Sequence, residues 1–134
     1  MPRNRRDTGS PHEWMRYAEA DLALARAPLP EGAFYEQLCF HAQQAVEKSL
    51  KALLVRSNID FPFTHDLQLL VDLLPAGIPT TPALVVAARL TPFSVGGRYP
   101  GEEEPVSEEE YREVLGCAEE IVTWAGRQIR RIET

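Results

Sequence analysis

The segment FHAQQAVEKSLKALL, residues 40–54, carries the side chains of this chain that are best suited to chemistry. Histidine titrates near neutral pH and can move protons, whereas lysine supplies a cationic donor to phosphate or carboxylate. The polar candidates in this segment are His41, Gln44, Glu47, Lys48 and Lys51. Together they could bind an anionic ligand such as phosphate, or they could form only the solvated face of a helix.

Helical geometry divides this segment into two faces. At 100° per residue, small and apolar side chains fall on one wide arc, which is the predicted core face. Gln44, Lys48 and Lys51 are predicted on the opposite face, with His41 at the boundary. Glu47 and Lys51 have the spacing of a favourable helical ion pair, worth about 0.2–0.5 kcal/mol. His41 is therefore either a hydrogen-bonded boundary residue or a proton carrier, and the lysines are either solvated or anion-binding.

Two apolar residues interrupt the predicted polar face. Phe40 and Leu54 both point toward it on the helical wheel. A solvated face does not usually carry large apolar side chains, so a neighbouring element or a second subunit should cover them. We predict that both residues form a subunit interface; the alternatives are an internal neighbour and plain exposure.

Two further polar groups lie downstream. His65 and Asp66 follow Thr64 at a predicted helix start, where the three residues could serve only as a cap or could contribute to a site. Arg98 and Tyr99 lie in a loop bounded by glycines, and loops often carry binding residues. His41, His65 and Arg98 are the catalytic candidates. Arg98 and Tyr99 also join the second-helix residues as candidate ligand contacts, although Arg98 could instead close the loop structurally.

Composition limits the class of protein. The chain has 134 residues, 44% of them hydrophobic, which is typical of one globular domain. Its formal net charge of −6 excludes a generally basic nucleic-acid binder. The longest apolar run is too short to span a membrane, and the N-terminus lacks the apolar core of a signal peptide, so we expect a cytoplasmic location. Cys39 and Cys117 are predicted buried thiols; without metal-binding spacings, no metal or cofactor is expected.

Helix signals recur along the chain and predict an all-α, up-and-down bundle of about five helices. Ser10, Pro11 and Glu13 form a capping box for the first helix, which should end before residues 27–32. Residues 1–9 are predicted to be a disordered tail, and residues 10–134 one domain. The remaining predicted helices are the second over about residues 33–57, a third capped by Thr64, a fourth opened by Thr81 and Pro82, and a fifth capped by Ser107 with Glu110.

Several segments together resemble a known family. They are FHAQQAVEKSLKALL (40–54), THDLQLLVDLL (64–74) and GGRYP (96–100) ahead of an acidic, capped helix, and the first-helix pattern WMRYAEADLALARAPL (14–29) fits as well. In this combination the chain resembles a HEPN domain over about residues 12–130.

The resemblance implies a helical bundle that is commonly dimeric. Small prokaryotic HEPN proteins are often encoded beside a minimal nucleotidyltransferase, and some such pairs act as toxin and antitoxin. Some members are metal-independent ribonucleases, and others have been proposed to bind nucleotides. The ribonuclease members carry an arginine followed, after four to six residues, by a histidine. Arginine would hold the phosphate while histidine moves the proton.

This sequence departs from the ribonuclease pattern. Arg56 lies too far ahead of His65, and no histidine follows Arg98. Arg6 and His12 have the spacing, but they fall at the predicted tail. We therefore predict a dimeric nucleotide-binding and interaction module that acts with a nucleotidyltransferase partner. The alternatives are a ribonuclease toxin with a non-standard site, with Arg98 or Lys48 on the phosphate of the RNA, and a purely structural partner protein.

Overall fold

The computed structural model describes residues 9–87, 90, 93 and 105–133. This part of the chain contains five α-helices and no strand, which confirms the predicted all-α class. Arg98, Tyr99 and almost all of the predicted tail lie outside the described residues. In chain order the helices are α1 (Pro11–Arg26), α2 (Tyr35–Arg56), α3 (Leu67–Asp72), α4 (Pro82–Ala87) and α5 (Glu108–Glu133).

The first helix begins and ends where its sequence signals predict. The Ser10 side chain accepts a hydrogen bond from the Glu13 backbone at 3.1 Å, and the Glu13 side chain accepts one from the Ser10 backbone. Pro11 occupies the first turn, where its missing N–H costs nothing. At the other end Ala27 is extended because Pro28 follows it, and α1 stops there.

The third helix begins later than predicted. Asp66, not Thr64, is its N-cap, because the Asp66 carboxylate accepts hydrogen bonds from the backbone N–H groups of Gln68 and Leu69. Thr64 caps the preceding turn by accepting a hydrogen bond from the Asp66 backbone at 3.0 Å. As a result His65 lies just outside the helix, and its side chain can turn toward α2.

The long helices α1, α2 and α5 form the frame, and α2 is the most buried of the three. His12, at the start of α1, bonds to Glu133, at the end of α5, at 3.1 Å. Arg26, at the end of α1, bonds to Glu119 in α5 at 2.8 Å. These two contacts show that α1 and α5 run antiparallel. None of the helices in the described ranges combines the length and the apolarity needed to cross a membrane.

The predicted subunit contact at Leu54 is wrong. Leu54 is fully buried within the single chain and belongs to its hydrophobic core. The chain after α2 turns back over this end of the helix: the Ile59 backbone N–H bonds to the Leu54 carbonyl at 3.0 Å, and Phe61 is buried in the same core. An internal neighbour therefore covers Leu54. Phe40 is only partly buried, so its role in an interface stays a prediction.

Candidate functional site

Asp21 of α1 is the centre of a first polar network. It is nearly buried, at 9% exposure, and its two oxygens face α2. His41 Nδ1 donates to one oxygen at 3.1 Å, and Lys48 Nζ donates to the other at 2.5 Å. His41 and Lys48 lie two turns apart on α2, so a single carboxylate positions both cationic side chains. About a third of each of these two side chains is exposed.

Glu47 of α2 is the centre of a second network, which is almost completely buried. Lys51 Nζ donates to one of its oxygens at 2.9 Å, which confirms the predicted ion pair. His65 Nδ1 donates to the other oxygen at 2.8 Å, and Gln43 Nε2 lies 3.3 Å from it. Lys51 also donates to the backbone carbonyl of Thr64 at 2.9 Å. The network therefore connects α2 to the segment that precedes α3.

The predicted solvated position of Lys51 is wrong. Its side chain is only 5% exposed, and three aromatic rings surround the ammonium group. The ammonium nitrogen lies 5.8 Å from the ring centroids of Trp14 and Phe61 and 6.0 Å from that of Phe63. A buried ammonium needs a counter-ion and further acceptors, and Glu47, the Thr64 carbonyl and the ring faces supply them. Neither Lys51 nor Glu47 faces solvent as a ligand-binding residue would.

Sequence reasoning missed two members of these networks, Asp21 and Gln43. Gln43 is fully buried; its amide nitrogen lies 3.4 Å from the His65 carbonyl, and its amide oxygen accepts a hydrogen bond from Gln44 at 2.7 Å. One feature of the sequence does indicate that Asp21 is paired, because it is an acidic residue beside the apolar stripe of α1 that contains Leu22. A carboxylate in that position needs a partner from another element, and the partner cannot be read from α1 alone.

The accessible members of the first network lie on one surface, which we call the α1–α2 face. Tyr17 and Leu24 of α1 flank Asp21 by one turn on either side and are 61% and 51% exposed. On α2 the face comprises Phe40, whose ring packs edge-on against His41 at 5.2 Å, and Gln44, which lies between His41 and Lys48 along the helix. The surface therefore combines apolar side chains with a histidine, a lysine and an amide.

His65 lies at the edge of the second network. Its side chain is 48% exposed, and its ring packs edge-on against that of Phe63 at 5.8 Å. Phe63 itself is 62% exposed. Capping does not explain the position of His65, because Asp66 is the cap and His65 bonds to Glu47 instead.

Both histidines bond to a carboxylate through Nδ1, which fixes the orientation of the ring, and both side chains are partly exposed. That geometry suits a proton carrier or a hydrogen-bond donor to a ligand. The nearby lysines are less available, since Lys48 pairs with Asp21 and Lys51 is buried. In the described ranges, no cluster of three His, Cys, Asp or Glu side chains could hold a metal ion.

Three groups outside these networks have shifted pKa values, and one is Arg112, whose hydrogen bond to Glu108 raises the pKa of its guanidinium. Burial raises the pKa of the Tyr111 hydroxyl, which donates to the Ala25 carbonyl at 2.6 Å. Burial likewise raises the pKa of the Cys117 thiol, so less of the reactive thiolate is present at neutral pH. Cys39 is fully buried, and neither of the two cysteines forms a disulfide. Neither cysteine is placed as a nucleophile.

Comparison with known proteins identifies the family. A sequence model described as the HEPN domain matches residues 11–129, which is most of the chain. The chain belongs to the HEPN domain family. Among solved structures, this HEPN protein is similar to ST0689, an archaeal HEPN homologue, with 31% identity and a TM-score of 0.70 over 90% of this chain and 98% of that one. It is also similar to TT1696 from Thermus thermophilus, with 27% identity and a TM-score of 0.71 over 87% and 96%.

A comparison with curated protein sequences finds no match. The arginine-to-histidine spacing expected of a ribonuclease occurs at the start of this HEPN domain, in Arg6 and His12. Arg6 lies outside the described residues, and His12 bonds to Glu133. His12 is therefore engaged in closing the ends of α1 and α5 together. The histidines of the two networks, His41 and His65, belong to no such pair with an arginine in the sequence.

Proposed function

We propose that this HEPN protein is a dimeric, nucleotide-binding interaction module that acts with a nucleotidyltransferase-type partner in a two-component system of the toxin–antitoxin kind. The exposure of Tyr17 and Leu24 on either side of Asp21 carries the proposal. Large apolar side chains grouped around a fixed polar network are typical of a protein contact surface. Phe40 lies on the same face, so a second copy packed there would cover all three residues.

The bonding of the lysines supports a binding role over a catalytic one. A ribonuclease needs a cation that can follow the charge developing on the phosphate. Lys48 is bonded to Asp21 and Lys51 to Glu47, so each ammonium is largely neutralised within the chain. In an interaction module the bond between Lys48 and Asp21 has a structural purpose, because it fixes α1 against α2 at the α1–α2 face.

The dimer is tested by light scattering after size-exclusion chromatography. We expect a dimer at micromolar concentration, and we expect Tyr17→Lys and Leu24→Lys to shift it to monomer, because a desolvated lysine opposes association. The matched control is Val85→Lys, which alters a residue that is 80% exposed on α4. A monomeric unmodified protein, or equal behaviour of all three variants, would count against the proposed interface. Co-purification of this protein with a co-expressed minimal nucleotidyltransferase tests the partner.

A ribonuclease is the second candidate, because His41 and His65 each have a carboxylate that orients the ring for proton transfer. The test incubates pure protein with tRNA and mRNA in EDTA. We expect no cleavage, in keeping with the bonded lysines. Cleavage that His41→Ala, His65→Ala or Arg98→Ala abolishes would establish the enzyme and overturn the binding-only role. A protein that neither cleaves RNA nor binds a nucleotide would be a purely structural partner.

A further inference from the structure

The side of α5 that faces away from the bundle core carries a regular stripe of exposed residues. They recur at intervals of three or four positions, the spacing that keeps side chains in line where one helix packs against another. This side of α5 is therefore open to solvent within the single chain. The members of the stripe, which we call the outer stripe, are Glu109, Glu113, Gly116, Glu120, Thr123, Arg127 and Arg131.

The charges of the outer stripe are segregated along the helix. Glu109 and Glu113 carry negative charge in its first half, whereas Arg127 and Arg131 carry positive charge in its second half. The ion pairs that α5 forms within the described ranges are made at other positions of the helix. Glu113, Glu120 and Arg127 therefore have no counter-ion among the described residues, and their charges are available to a partner.

The order of these charges is symmetrical about Glu120. Glu113 and Arg127 lie seven positions before and after it, and Glu109 and Arg131 lie eleven positions before and after it. A second copy of α5 that packs in the opposite direction about a two-fold axis at Glu120 would therefore place each acid opposite an arginine. Because the axis repeats every contact, both kinds of Glu–Arg pair form twice. The stripe is thus complementary in charge to itself.

Gly116 gives an independent reason to expect a close neighbour on this side of α5. Glycine is a poor helix former, and nothing in the chain lies within 4 Å of the position that a Cβ at Gly116 would occupy. Packing inside the chain therefore does not require a glycine here. A residue without a side chain allows another backbone to approach closely. In the antiparallel pair Gly116 lies opposite Thr123, which is also small.

We infer that the outer stripe is a second self-association surface, on which α5 of another copy packs antiparallel about a two-fold axis at Glu120. It is separate from the α1–α2 face, since none of its residues belongs to α1 or α2. The inference goes beyond the proposed function and does not depend on it. Exposed ion pairs are individually weak and are screened by salt, so the contact should be weak and sensitive to salt. Its effect would be to join dimers into larger assemblies.

Charge reversal tests the pairing, with self-association measured by sedimentation equilibrium. The starting protein carries Tyr17→Lys, which blocks the α1–α2 face, so that the remaining association reports on α5. We expect this protein to associate in about 10 mM salt and to dissociate in about 1 M salt, because the Debye length falls from about 30 Å to about 3 Å. Arg127→Glu and Glu113→Arg should each weaken the association in low salt about tenfold or more.

The double variant Arg127→Glu with Glu113→Arg should restore the association to within about twofold, because the pairs re-form with their signs exchanged. The two single reversals change the net charge in opposite directions, so weakening by both cannot be a general effect of charge. Arg16→Glu is the matched control, since Arg16 is an equally exposed arginine that lies on α1. It should leave the association unchanged.

Two further variants test the position of the axis. A two-fold axis at Glu120 brings this residue of both copies together, so Glu120→Gln should strengthen the association by removing the repulsion. Glu113→Gln removes an attraction and should weaken it. Gly116→Gln should also weaken it, because the new side chain enters the contact. Circular dichroism should show that the Gly116→Gln protein stays folded, since its Cβ meets nothing within the chain.

The outcomes separate this surface from the proposed interface. No association of the Tyr17→Lys protein in low salt, or a double reversal that fails to restore what the single reversals remove, would overturn the inference. A dimer that Tyr17→Lys breaks and Arg127→Glu leaves intact would retain the α1–α2 interface and refute the outer stripe. A dimer that Arg127→Glu breaks and Tyr17→Lys leaves intact would refute the α1–α2 interface and retain the outer stripe.

Discussion

Replacement of Glu47 by glutamine is expected to lower the free energy of unfolding by about 3–5 kcal/mol, because it leaves a buried ammonium without its counter-ion. Glu47 accepts from three donors, and a glutamine amide would turn an N–H group toward some of them. Buried donors that face each other have no acceptor, which adds to the loss of charge pairing. Urea unfolding followed by circular dichroism measures the change.

A matched control exists on α5, where Glu108 and Arg112 are also four positions apart and form an ion pair at 2.8 Å, but both side chains are exposed. Glu108→Gln should cost no more than about 0.5 kcal/mol. The double variant Glu47→Gln with Lys51→Met should recover part of the loss, because it removes the isolated charge. If Glu47→Gln proves as mild as Glu108→Gln, the second network is not the buried structure described above.

Leu54→Ala is expected to cost about 2–5 kcal/mol, since it removes a fully buried side chain and leaves a cavity in the core. The same substitution at Leu24, which is 51% exposed, should change stability by about 0.5 kcal/mol or less. The effects of the two substitutions on the oligomeric state should be the reverse of their effects on stability. Leu54→Ala should leave the oligomeric state of the folded protein unchanged, whereas Leu24 lies on the proposed interface.

Denaturant unfolding and light scattering on the same samples decide between these outcomes. Loss of the dimer in a folded Leu54→Ala protein would restore the interface role that its burial argues against. A stability loss at Leu24 as large as that at Leu54 would show that Leu24 is covered by other parts of the chain.

The fold could be predicted from sequence because its signals are local. The capping box of Ser10 and Glu13 fixes the start of α1, and Pro28 fixes its end. The apolar stripe of α5 likewise needs no knowledge of its neighbours. The sequence does not single out Asp66 as the cap, because Thr64 offers another side-chain acceptor two residues earlier, and only the hydrogen bonds show which residue opens the helix.

The candidate site was harder to predict, because its geometry depends on contacts between distant segments. A helical wheel of α2 assumes one buried side, whereas α2 is enclosed by α1, α5 and the segment before α3. The wheel therefore puts Lys51 and Leu54 on the polar side, whereas the chain after α2 covers both. His65 and Glu47 are 18 positions apart in sequence, and no spacing rule predicts their 2.8 Å contact.

The single carboxylate of Asp21 also fixes the alignment of two helices along their length. The apolar residues that α1 packs against α2 are mostly alanine and leucine, and such surfaces fit together in more than one register. A slide of one turn would move Asp21 by about 5.4 Å, which would break its bonds to both His41 and Lys48. Only one alignment satisfies both donors at once. The polar network therefore fixes the register of α1 against α2, and it thereby also fixes the positions of the exposed residues beside it.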